Sequence, residues 1–436
     1  MSFHRVLAAA IVFALASGAA ELTPEQRKKN ADSFEYAWSK IRENMWAPMP
    51  EGLDWQAVHD ELKPKAASAR TMEDARAVMR DMIARLKLTH FNIVAADLYD
   101  ELGNGPGRRG DGGSPGLDLR LVDGQALVVS VDAGSPAQLA GVRPGWVLVK
   151  ADGAGIREAI RKLDAALPDS THKELAMTRA VMAKIGGAPG SKVPVEFLDA
   201  SNRPVKMDLE IGMPRGEASK IGFMPSQHVW FESRKVENSG YVRFNLFLDP
   251  ARLSTLFANA VEDCSECDGF IIDLRGNPGG IGGMAMGFAG WFVDRQGVRL
   301  GAMRMKGQDV KFAIFPRSRT FRGPLAILVD GLTASTSEIL AGGLKDIGRA
   351  RIFGAPTAGA ALPSVFEQLP NNDGFQYAIA DYISEGGDRL ERIHAVGPAA
   401  VRDHLARPGR LRDEGGELLE GHRDRARDVA LRELLR

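Results

Sequence analysis

The chain of 436 residues has no excess of charge of either sign, because its 56 basic residues balance its 56 acidic residues. It contains no basic stripe and no polybasic segment, which argues against binding to nucleic acid or to an anionic membrane surface. The eight histidines are scattered, and none has metal-ligand spacing such as H-E-x-x-H. The expected partners are therefore soluble, with no nucleic acid and no bound metal.

Cysteine is nearly absent: the chain has two, Cys264 and Cys267, in the stretch "EDCSECDG". A single C-x-x-C pair without further cysteines argues against a zinc site. The surrounding sequence also lacks the context of a thioredoxin-like redox motif. A local disulfide or two half-buried thiols are the interpretations that remain.

Long apolar runs are missing beyond the beginning of the chain. The beginning, "MSFHRVLAAAIVFALASGAAELTPEQ", has a basic residue at Arg5, an apolar run over residues 6–16 and small residues before Glu21. This is the three-part pattern of a secretory signal, and the run is too short to span a bilayer. We expect a signal peptide over residues 1–20, with an uncleaved anchor helix as the alternative. The mature protein is then exported, periplasmic or secreted, with no integral membrane segment.

The length exceeds what one hydrophobic core usually serves, so two or three domains are expected. Apolar residues recur three and four positions apart in "ADSFEYAWSKIRENMW", "DWQAVHDELKPKAASA" and "TMEDARAVMRDMIARLKL", which predicts helices. We expect an N-terminal helical domain over residues 21–103. The glycine-rich, charged stretch over residues 104–116 is predicted to be a linker or a flexible loop.

Residues 104–215 are predicted to form a β domain. Short β runs alternate with turn signals in "GLDLRLVDGQALVVSVDAGSPAQLAGVRPGWVLVKADG", and a helix over residues 156–167 and the strand "SKVPVEFLD" follow. The stretch "VDAGSPAQLAGVRPGWVLVKADG" resembles a PDZ domain, in which a peptide adds as a strand and its terminal carboxylate binds to a turn of backbone amides. "SPGLDL" occupies the place of that turn. The peptide-binding residues that the resemblance implies are Gly116, Leu117, Asp118 and Leu119. The alternative is a β domain that only packs the two halves of the chain together.

Four apolar β runs follow, "SGYVRFNLF", "GFIIDLRG", "PLAILVD" and "ARIFG", with helical stretches between them. Such alternation predicts an α/β domain with a covered sheet, here over residues 216–402. The tail over residues 403–436 interleaves arginine with acidic residues, a pattern typical of a solvated helical surface.

Two stretches of the α/β domain resemble the core of the C-terminal processing and tricorn-like serine peptidases, family S41. They are "DGFIIDLRGNPGG" at residues 268–280 and "GPLAILVDGLTASTSEILAGGLKDIGRARIFGAPTAG" at residues 323–359. Together with the PDZ-like stretch and the helical beginning, the resemblance covers most of the mature chain. It implies an α/β multidomain fold with an N-terminal helical domain, a PDZ-like β domain and a crotonase-like α/β peptidase core.

The family's nucleophile is the middle hydroxyl of an S-x-S-x-S-E pattern, which here is Thr333, Ser335, Ser337 and Glu338. The resemblance therefore selects Ser335. A serine at a strand-to-helix turn suits a nucleophile, because the turn exposes the hydroxyl and the helix amides favour negative charge. The same residues also fit an S-x-x-E capping box. With Ser335 as nucleophile, Ser337 becomes the better candidate for the helix cap.

A serine needs a base to take its proton. One branch of the family uses a lysine in T-F-G-K-G, but the matching stretch "PTAGAALPS" has Ala360 there, and Lys345 lies well down the helix that begins at the serine. The tricorn-like branch uses a histidine after the N-terminal helices, which matches Thr89-His90 in "ARLKLTHFNIV". A lone histidine after a helix is more often structural, but the missing lysine favours His90 as the base.

The same branch orients its base with a glutamate in a pattern like L-E-G-x-G-V-x-P-D. The stretch "DRLERIHAVGPAAV" places Glu391 at that position, although Arg392 and Ala399 replace the usual glycine and aspartate. A carboxylate there can fix the tautomer of the base. The alternative is an exposed glutamate paired with an arginine.

The loop "RGNPGG" follows a buried strand, and its glycines let the backbone approach a substrate carbonyl closely. We predict an oxyanion hole formed by the amide of Gly279 or Gly280 together with that of Thr336. The alternative is a tight turn built from good turn residues.

These residues predict an exported serine endopeptidase that hydrolyses peptide bonds of protein or peptide substrates through Ser335, His90 and Glu391, with Thr89 as a further partner of the base. This chemistry needs no cofactor, and a homo-oligomer is compatible with the sequence. Two rivals are left open: a catalytically inactive peptide-binding protein and a serine hydrolase that acts on esters. The missing G-x-S-x-G elbow weighs against the second rival.

Overall fold

The computed structural model describes residues 21–95, 112–166, 172–220 and 226–391. The predicted signal peptide, residues 104–111 of the predicted linker and the predicted tail over residues 403–436 lie outside the described residues. Within the part of the chain that the structure describes, no helix combines the length and the apolar character needed to cross a membrane.

Three helices form the N-terminal region, where the apolar periodicity predicted them. Each begins at a side-chain cap, because Thr23, Asp54 and Thr71 accept backbone amides of the first turn that would otherwise be unpaired. The helices are α1 (Pro24–Asn44), α2 (Trp55–Ala67) and α3 (Met72–Ala84). Their apolar faces share one buried cluster that includes Phe34 and Trp38.

The helical region packs against a small antiparallel sheet instead of forming a separate core. The sheet has the order β1-β18-β17 and is made of β1 (Asn92–Val94), β17 (Ser364–Gln368) and β18 (Gly374–Ala378). Phe375 of β18 lies in the same buried cluster as the helices. Arg76 of α3 also forms a buried ion pair with Asp373, with 2.9 Å between Nη2 and Oδ1. Residues 85–95 are thereby fixed against residues 364–378.

The middle region, defined as the described residues between 112 and 212, is an antiparallel sheet with helices on it. Its main strands have the order β2-β3-β4-β6-β7, so that β2 is an edge strand, and β5 pairs with β4. The strands are β2 (Leu117–Val122), β3 (Gln125–Val131), β4 (Val147–Ala151), β5 (Ala154–Gly155), β6 (Lys192–Leu198) and β7 (Pro204–Glu210). The helices are α4 (Pro136–Leu139), α5 (Ile156–Ala166) and α6 (Lys173–Lys184).

Helix α6 was not predicted from the sequence. Of its residues Met177, Thr178 and Val181 are buried, while charged side chains occupy much of the rest of its surface. A helix with so narrow a buried face gives a weak periodic signal.

The α/β core contains a five-stranded sheet of order β10-β11-β12-β15-β16, whose last four strands are parallel. The four predicted apolar runs are confirmed as strands β11, β12, β15 and β16. The strands are β10 (Phe231–Val236), β11 (Ser239–Phe244), β12 (Gly269–Asp273), β15 (Leu325–Val329) and β16 (Arg351–Gly354). The helices that cover this sheet are α7 (Pro250–Glu262), α8 (Gly283–Ala289) and α9 (Thr336–Asp346).

A buried aromatic cluster fills the space between the sheet and α7 and α8. Phe257 lies 4.7 Å from Phe288 between ring centroids, and Phe244 meets Phe247 edge to face at 4.9 Å. The remaining strands are a hairpin and a three-stranded sheet of order β14-β13-β19. They are β8 (Glu217–Ser219), β9 (Gln227–Val229), β13 (Arg299–Met305), β14 (Gln308–Ala313) and β19 (Ala380–Ser384).

The single C-x-x-C pair forms the local disulfide that was one of the two interpretations of the sequence. Cys264 and Cys267 are joined just after α7, and both are buried against the aromatic core.

Candidate active site

The neighbouring parallel strands β12 and β15 both end at one edge of the core sheet, where two loops meet. Residues 274–280 follow β12, and residues 330–335 follow β15 and lead into α9. Because the carboxyl ends of adjacent parallel strands open on the same side, such loops commonly form ligand sites. Ser335, Gly279 and Gly280 are brought together there.

Ser335 lies at a strained turn. Its φ of 54° and ψ of −121° are rarely adopted by a residue with a side chain, and a conformation of this kind persists only where the surrounding structure enforces it. Ser335 is also the one partly exposed residue in the otherwise buried stretch 331–344. The turn therefore presents the serine to solvent at the start of α9.

The side chain of Glu338 stabilises this turn through hydrogen bonds to its backbone. The fully buried carboxylate accepts the amides of Ser335 at 2.9 Å, Gly359 at 2.8 Å and Ala360 at 3.0 Å, and the hydroxyl of Thr357 at 2.6 Å. Burial raises the pKa of Glu338 to about 7, against the opposing effect of its four hydrogen bonds. The Ser335 amide also donates to the Ala360 carbonyl at 2.8 Å. Glu338 therefore fixes residues 357–360 beside the candidate nucleophile.

The prediction that Ser337 caps α9 is wrong. Ser335 occupies the N-cap position, and the capping box runs from Ser335 to Glu338. Ser337 lies inside the first turn, where its hydroxyl is 3.0 Å from both the carbonyl and the side-chain oxygen of Asn277. The Thr333 hydroxyl likewise donates to a carbonyl of this loop, that of Leu274, at 2.9 Å. The hydroxyls of Thr333 and Ser337 therefore hydrogen-bond the two loops to each other, and Ser337 does not cap the helix.

The residues predicted to form the oxyanion hole lie beside Ser335 and differ in the hydrogen bonds that their backbone amides donate. The Gly279 amide donates to Asn277 Oδ1 at 2.9 Å. The amides of Gly280 and Thr336 donate to no other described residue, and the Thr336 hydroxyl donates to the Gly280 carbonyl at 2.9 Å. Gly279 has φ of 95°, and a Cβ on it would come within 2.8 Å of the Ser335 Cβ, so glycine is required for this close approach.

Thr89, His90 and Glu391 form a hydrogen-bonded chain. Glu391 Oε2 accepts the Thr89 hydroxyl at 2.8 Å, and Oε1 accepts the Thr89 amide at 3.2 Å. The Thr89 oxygen is 2.8 Å from His90 Nδ1. Since the one hydroxyl proton points to the carboxylate, the threonine oxygen accepts the proton of His90 Nδ1, and Nε2 is left as the acceptor.

His90 is in an environment that keeps its ring neutral. Burial lowers its pKa to about 4, and the positive charges of His172 and Arg179 at helix α6 act in the same direction. Its backbone φ of 60° lies in the left-handed region. At neutral pH the imidazole is therefore able to accept a proton.

Ala360 and Ala361 connect the two groups. The Ala360 carbonyl accepts the Ser335 amide, and the amide of the next residue, Ala361, donates to Glu391 Oε2 at 3.2 Å. Ala360 thus lies beside the serine, in the place where the sequence comparison expected a lysine in the other branch. Lys345 is in the last turn of α9 and does not replace it.

The predicted peptide-binding residues lie at the start of β2. Gly116 has φ of 75°, and its amide donates to Ser114 Oγ at 3.1 Å. The side chains of Leu117 and Leu119 are buried in the middle region's own core, and Asp118 accepts the Ser130 hydroxyl at 3.2 Å.

Asp330 is a site residue that the sequence analysis did not identify. Its Oδ1 accepts the amides of Gly276 at 2.9 Å and Leu332 at 3.0 Å, so that it binds both loops of the site. Its Oδ2 accepts Arg120 Nε of β2 at 2.7 Å. The only signal in the sequence is the aspartate that follows the strand "LAILV", directly before the nucleophile turn.

Two family models match parts of the chain. The family model "Peptidase family S41" matches residues 238–399, and the model "Tricorn protease C1 domain" matches residues 26–84. The chain is 25% identical over 386 residues to carboxyl-terminal-processing peptidase 3, chloroplastic, of Arabidopsis thaliana, covering 86% of this chain and 69% of the relative. It is 26% identical over 315 residues to the carboxyl-terminal-processing protease of Synechocystis sp., covering 72% of this chain and 67% of the relative.

The fold is also that of a solved structure. The photosystem II D1 C-terminal processing protease superposes with a TM-score of 0.57 at 22% sequence identity, over 87% of this chain and 93% of the other. Residues 238–399 therefore belong to peptidase family S41, the chain is similar to carboxyl-terminal-processing proteases, and the protein is a serine-type peptidase.

Proposed function

We propose that the protein is an exported serine endopeptidase in which Ser335 is the nucleophile and His90 is the base. The observation that carries the proposal is the strained, partly exposed Ser335, joined through Ala360 and Ala361 to the chain of hydrogen bonds from Glu391 to Thr89 and His90. A strained serine at a strand-to-helix turn and an oriented neutral histidine are the two parts that acyl transfer requires.

The chemistry follows from the tautomer of His90. Nε2 takes the proton of the Ser335 hydroxyl as Oγ attacks the substrate carbonyl, and the imidazolium then gives this proton to the leaving amine. The acyl-enzyme is hydrolysed by water through the same proton route in reverse. Glu391 and Thr89 hold the ring and stabilise the imidazolium that forms in each half of the reaction.

Two amides are suited to stabilise the oxyanion. Those of Gly280 and Thr336 have no other described acceptor, whereas the Gly279 amide already donates to Asn277. We assign the oxyanion hole to Gly280 and Thr336, with Gly279 providing the space beside Ser335.

The middle region is proposed to act as a PDZ-like domain that binds substrate C-termini. Its support is the edge position of β2, which can accept an added strand, and the glycine turn at Gly116 before it. Arg120 Nη1 donates to the Leu119 carbonyl at 2.8 Å, so a peptide that paired along this part of β2 would displace this contact.

Export is proposed from the signal pattern over residues 1–20 and is supported by the Cys264–Cys267 disulfide. Disulfides persist in oxidising compartments and are rare in the cytosol. The proposed substrates are proteins or peptides.

Labelling with a fluorophosphonate probe tests the proposal. The mature protein is treated beside Ser335→Ala and His90→Ala variants, and the adduct is located by peptide mapping. Ser337→Ala is the matched control, because it removes a neighbouring hydroxyl that already has a partner in Asn277.

Label on Ser335 that both Ser335→Ala and His90→Ala abolish is the expected result. Absence of label in the unaltered protein at neutral pH, together with retained binding of peptide C-termini, would instead identify a peptide-binding protein. Label on Ser335 with turnover of esters but of no peptide would identify an esterase.

A further inference from the structure

A cleft of about 230 Å³ lies between the middle region and the core. One wall is formed by β2 and by α6, and the other by core residues that include Gly276, Pro278 and Leu332. The second wall therefore belongs to the two loops that carry Gly279 and Ser335. On the first wall, Asp118 and Leu119 belong to the turn and strand predicted to bind a substrate C-terminus. The cleft therefore lies between the strand that follows that turn and the loops that carry Gly279 and the candidate nucleophile.

The cleft has an excess of positive charge. Its charged lining residues are Asp118, Arg120, Arg179, Arg243 and Arg275. Two of the arginines are neutralised within the protein, because Arg275 pairs with buried Asp273 at 2.6 Å and Arg120 pairs with Asp330 at 2.7 Å. Arg243 lies near two carboxylates, with Nη2 at 3.5 Å from Asp118 Oδ2 and Nε at 3.9 Å from Asp273 Oδ2, so Arg179 accounts for the excess. The cleft is therefore suited to an anion.

Arg179 is the arginine that has no carboxylate of its own. Among the described residues none forms an ion pair with it, and the desolvation that lowers its pKa is not offset by any acidic neighbour. Its side chain is nevertheless open to solvent. Because Arg179 lines the cleft, its guanidinium is accessible to a ligand that enters there. An unpaired guanidinium in such a place favours a carboxylate ligand, which it can bind through two hydrogen bonds.

A further polar atom at the cleft has no partner. Thr178, one residue before Arg179, is 3% exposed, and its Oγ1 makes no hydrogen bond to any described residue. Buried polar groups are nearly always hydrogen-bonded in folded proteins, so this unpartnered hydroxyl beside an unpaired arginine indicates a ligand position.

The position of the cleft indicates which part of a substrate reaches it. A peptide whose terminus binds at Gly116 and which pairs with β2 lies along this cleft, because Asp118, Leu119 and Arg120 line it opposite the loop at Gly276. The residues that cross the cleft are then those between the C-terminus and the bond to be cleaved.

We propose that this cleft is a substrate subsite that binds the side-chain carboxylate of an aspartate or glutamate located between the substrate's C-terminus and its scissile bond. Arg179 supplies the cation and Thr178 a hydrogen-bond donor. The inference rests on the proposed peptidase function and makes the enzyme selective for substrates that are acidic near their C-terminus.

Binding is measured first, by titration calorimetry on the full chain carrying Ser335→Ala. The probes are peptides of about ten residues with a free C-terminus, in which a single glutamate is moved through the positions before the last residue. Each is compared with its glutamine counterpart. We expect about tenfold tighter binding of the glutamate peptide at one or two adjacent positions, as for a charge-assisted hydrogen bond, and a weaker preference at high salt.

Arg179→Gln is expected to reduce the ratio of the Kd of the glutamine peptide to the Kd of the glutamate peptide to about one. Thr178→Val keeps the volume of the side chain and loses no internal hydrogen bond, so it should fold normally and reduce the preference severalfold. Arg161→Gln, which changes an exposed arginine on α5, is the control that keeps the full preference. The thermal unfolding midpoint of each variant is recorded beside the binding data.

Equal binding of glutamate and glutamine peptides at every position would overturn the subsite. So would an equal loss of affinity for glutamate and glutamine peptides in Arg179→Gln, because Arg179 would then bind the terminal carboxylate. If the unaltered protein cleaves none of the peptides while Ser335→Ala keeps the preference for glutamate, the proposed peptidase function fails and the subsite stands.

Discussion

The proposed nucleophile and the proposed base are held in place in different ways. Ser335 is held by groups that lie at one edge of the core sheet, in residues 274–280, 330–338 and 357–360. His90 is held through Thr89 by Glu391, which is 302 positions away in the chain, and it borders helix α6 of the middle region. One group therefore depends on a single compact element of structure, whereas the other depends on contacts among three regions.

This difference predicts different responses to perturbation. The turn at Ser335 has several redundant hydrogen bonds, so that the loss of one of them leaves the others to maintain the strained conformation. The proposed base is oriented through a single hydrogen-bonded path, which runs from Glu391 through the Thr89 hydroxyl to His90. Loss of either hydrogen bond in this path therefore changes the orientation of the His90 ring. The following experiments compare substitutions near Ser335 with substitutions near His90.

The largest effect is expected from Ser335→Ala, His90→Ala and their combination. Each single change should lower kcat/KM for a peptide substrate by about 10³-fold to 10⁴-fold, and the double variant should be no worse than either, because the two groups act as one unit. Steady-state kinetics check this. An additive double variant would mean that His90 and Ser335 do not act in the same step.

Glu391→Gln tests the single route of orientation. Glutamine keeps one acceptor oxygen and would place its NH2 against either the Thr89 hydroxyl or the Thr89 amide, so that the threonine no longer fixes the His90 tautomer as firmly. We expect kcat to fall about 10²-fold with KM nearly unchanged. Thr89→Ser keeps the hydroxyl and should retain most of the activity, whereas Thr89→Val should resemble Glu391→Gln. Equal activity in the serine and valine variants would contradict the route.

Glu338→Gln tests the support of the nucleophile turn. Glutamine has one acceptor oxygen in place of two, which leaves buried amide donors unpaired at a cost of about 1–3 kcal/mol in the free energy of unfolding. Urea denaturation monitored by fluorescence measures this. A change at exposed Glu73 to glutamine should be much smaller. If Glu338→Gln alters activity without altering stability, the carboxylate has a chemical role beyond support.

The smallest effect concerns the pH dependence. Burial lowers the pKa of His90 to about 4, so the acid limb of kcat/KM should lie below the ordinary histidine value near 6.5. Arg179 lowers the pKa of His90 through its positive charge. Arg179→Gln should therefore move the midpoint of the acid limb to higher pH, by about a few tenths of a pH unit. The profile is measured within the pH range where the fold is intact. An acid limb at or above 6.5 would mean that the base is more solvated than its position implies.

The same contrast explains what the sequence could predict. Strands β11, β12, β15 and β16 were predicted because both their faces are buried, which makes them continuously apolar. The position of Ser335 between β15 and α9 follows from a local pattern. The choice of Ser337 as the cap was wrong because its partner, Asn277, is 60 positions away and periodicity carries no information about it.

The base side depended more on resemblance. No spacing rule joins Thr89 to Glu391, and only the family pattern suggested that they belong together. Helix α6 was missed because few of its residues are buried, and with it the sequence analysis missed Arg179 and Thr178 as neighbours of the site. Asp330 was missed because a single aspartate after a strand is common in turns.

The long separation between Thr89 and Glu391 also determines the order in which the proposed site can assemble while the chain folds. The turn at Ser335 is held by residues 274–280, 330–338 and 357–360, whereas His90 has no orienting carboxylate until Glu391 packs against Thr89. A folding intermediate that lacks this contact would contain the proposed nucleophile without an organised base. Partly folded copies of the protein should therefore not cleave one another.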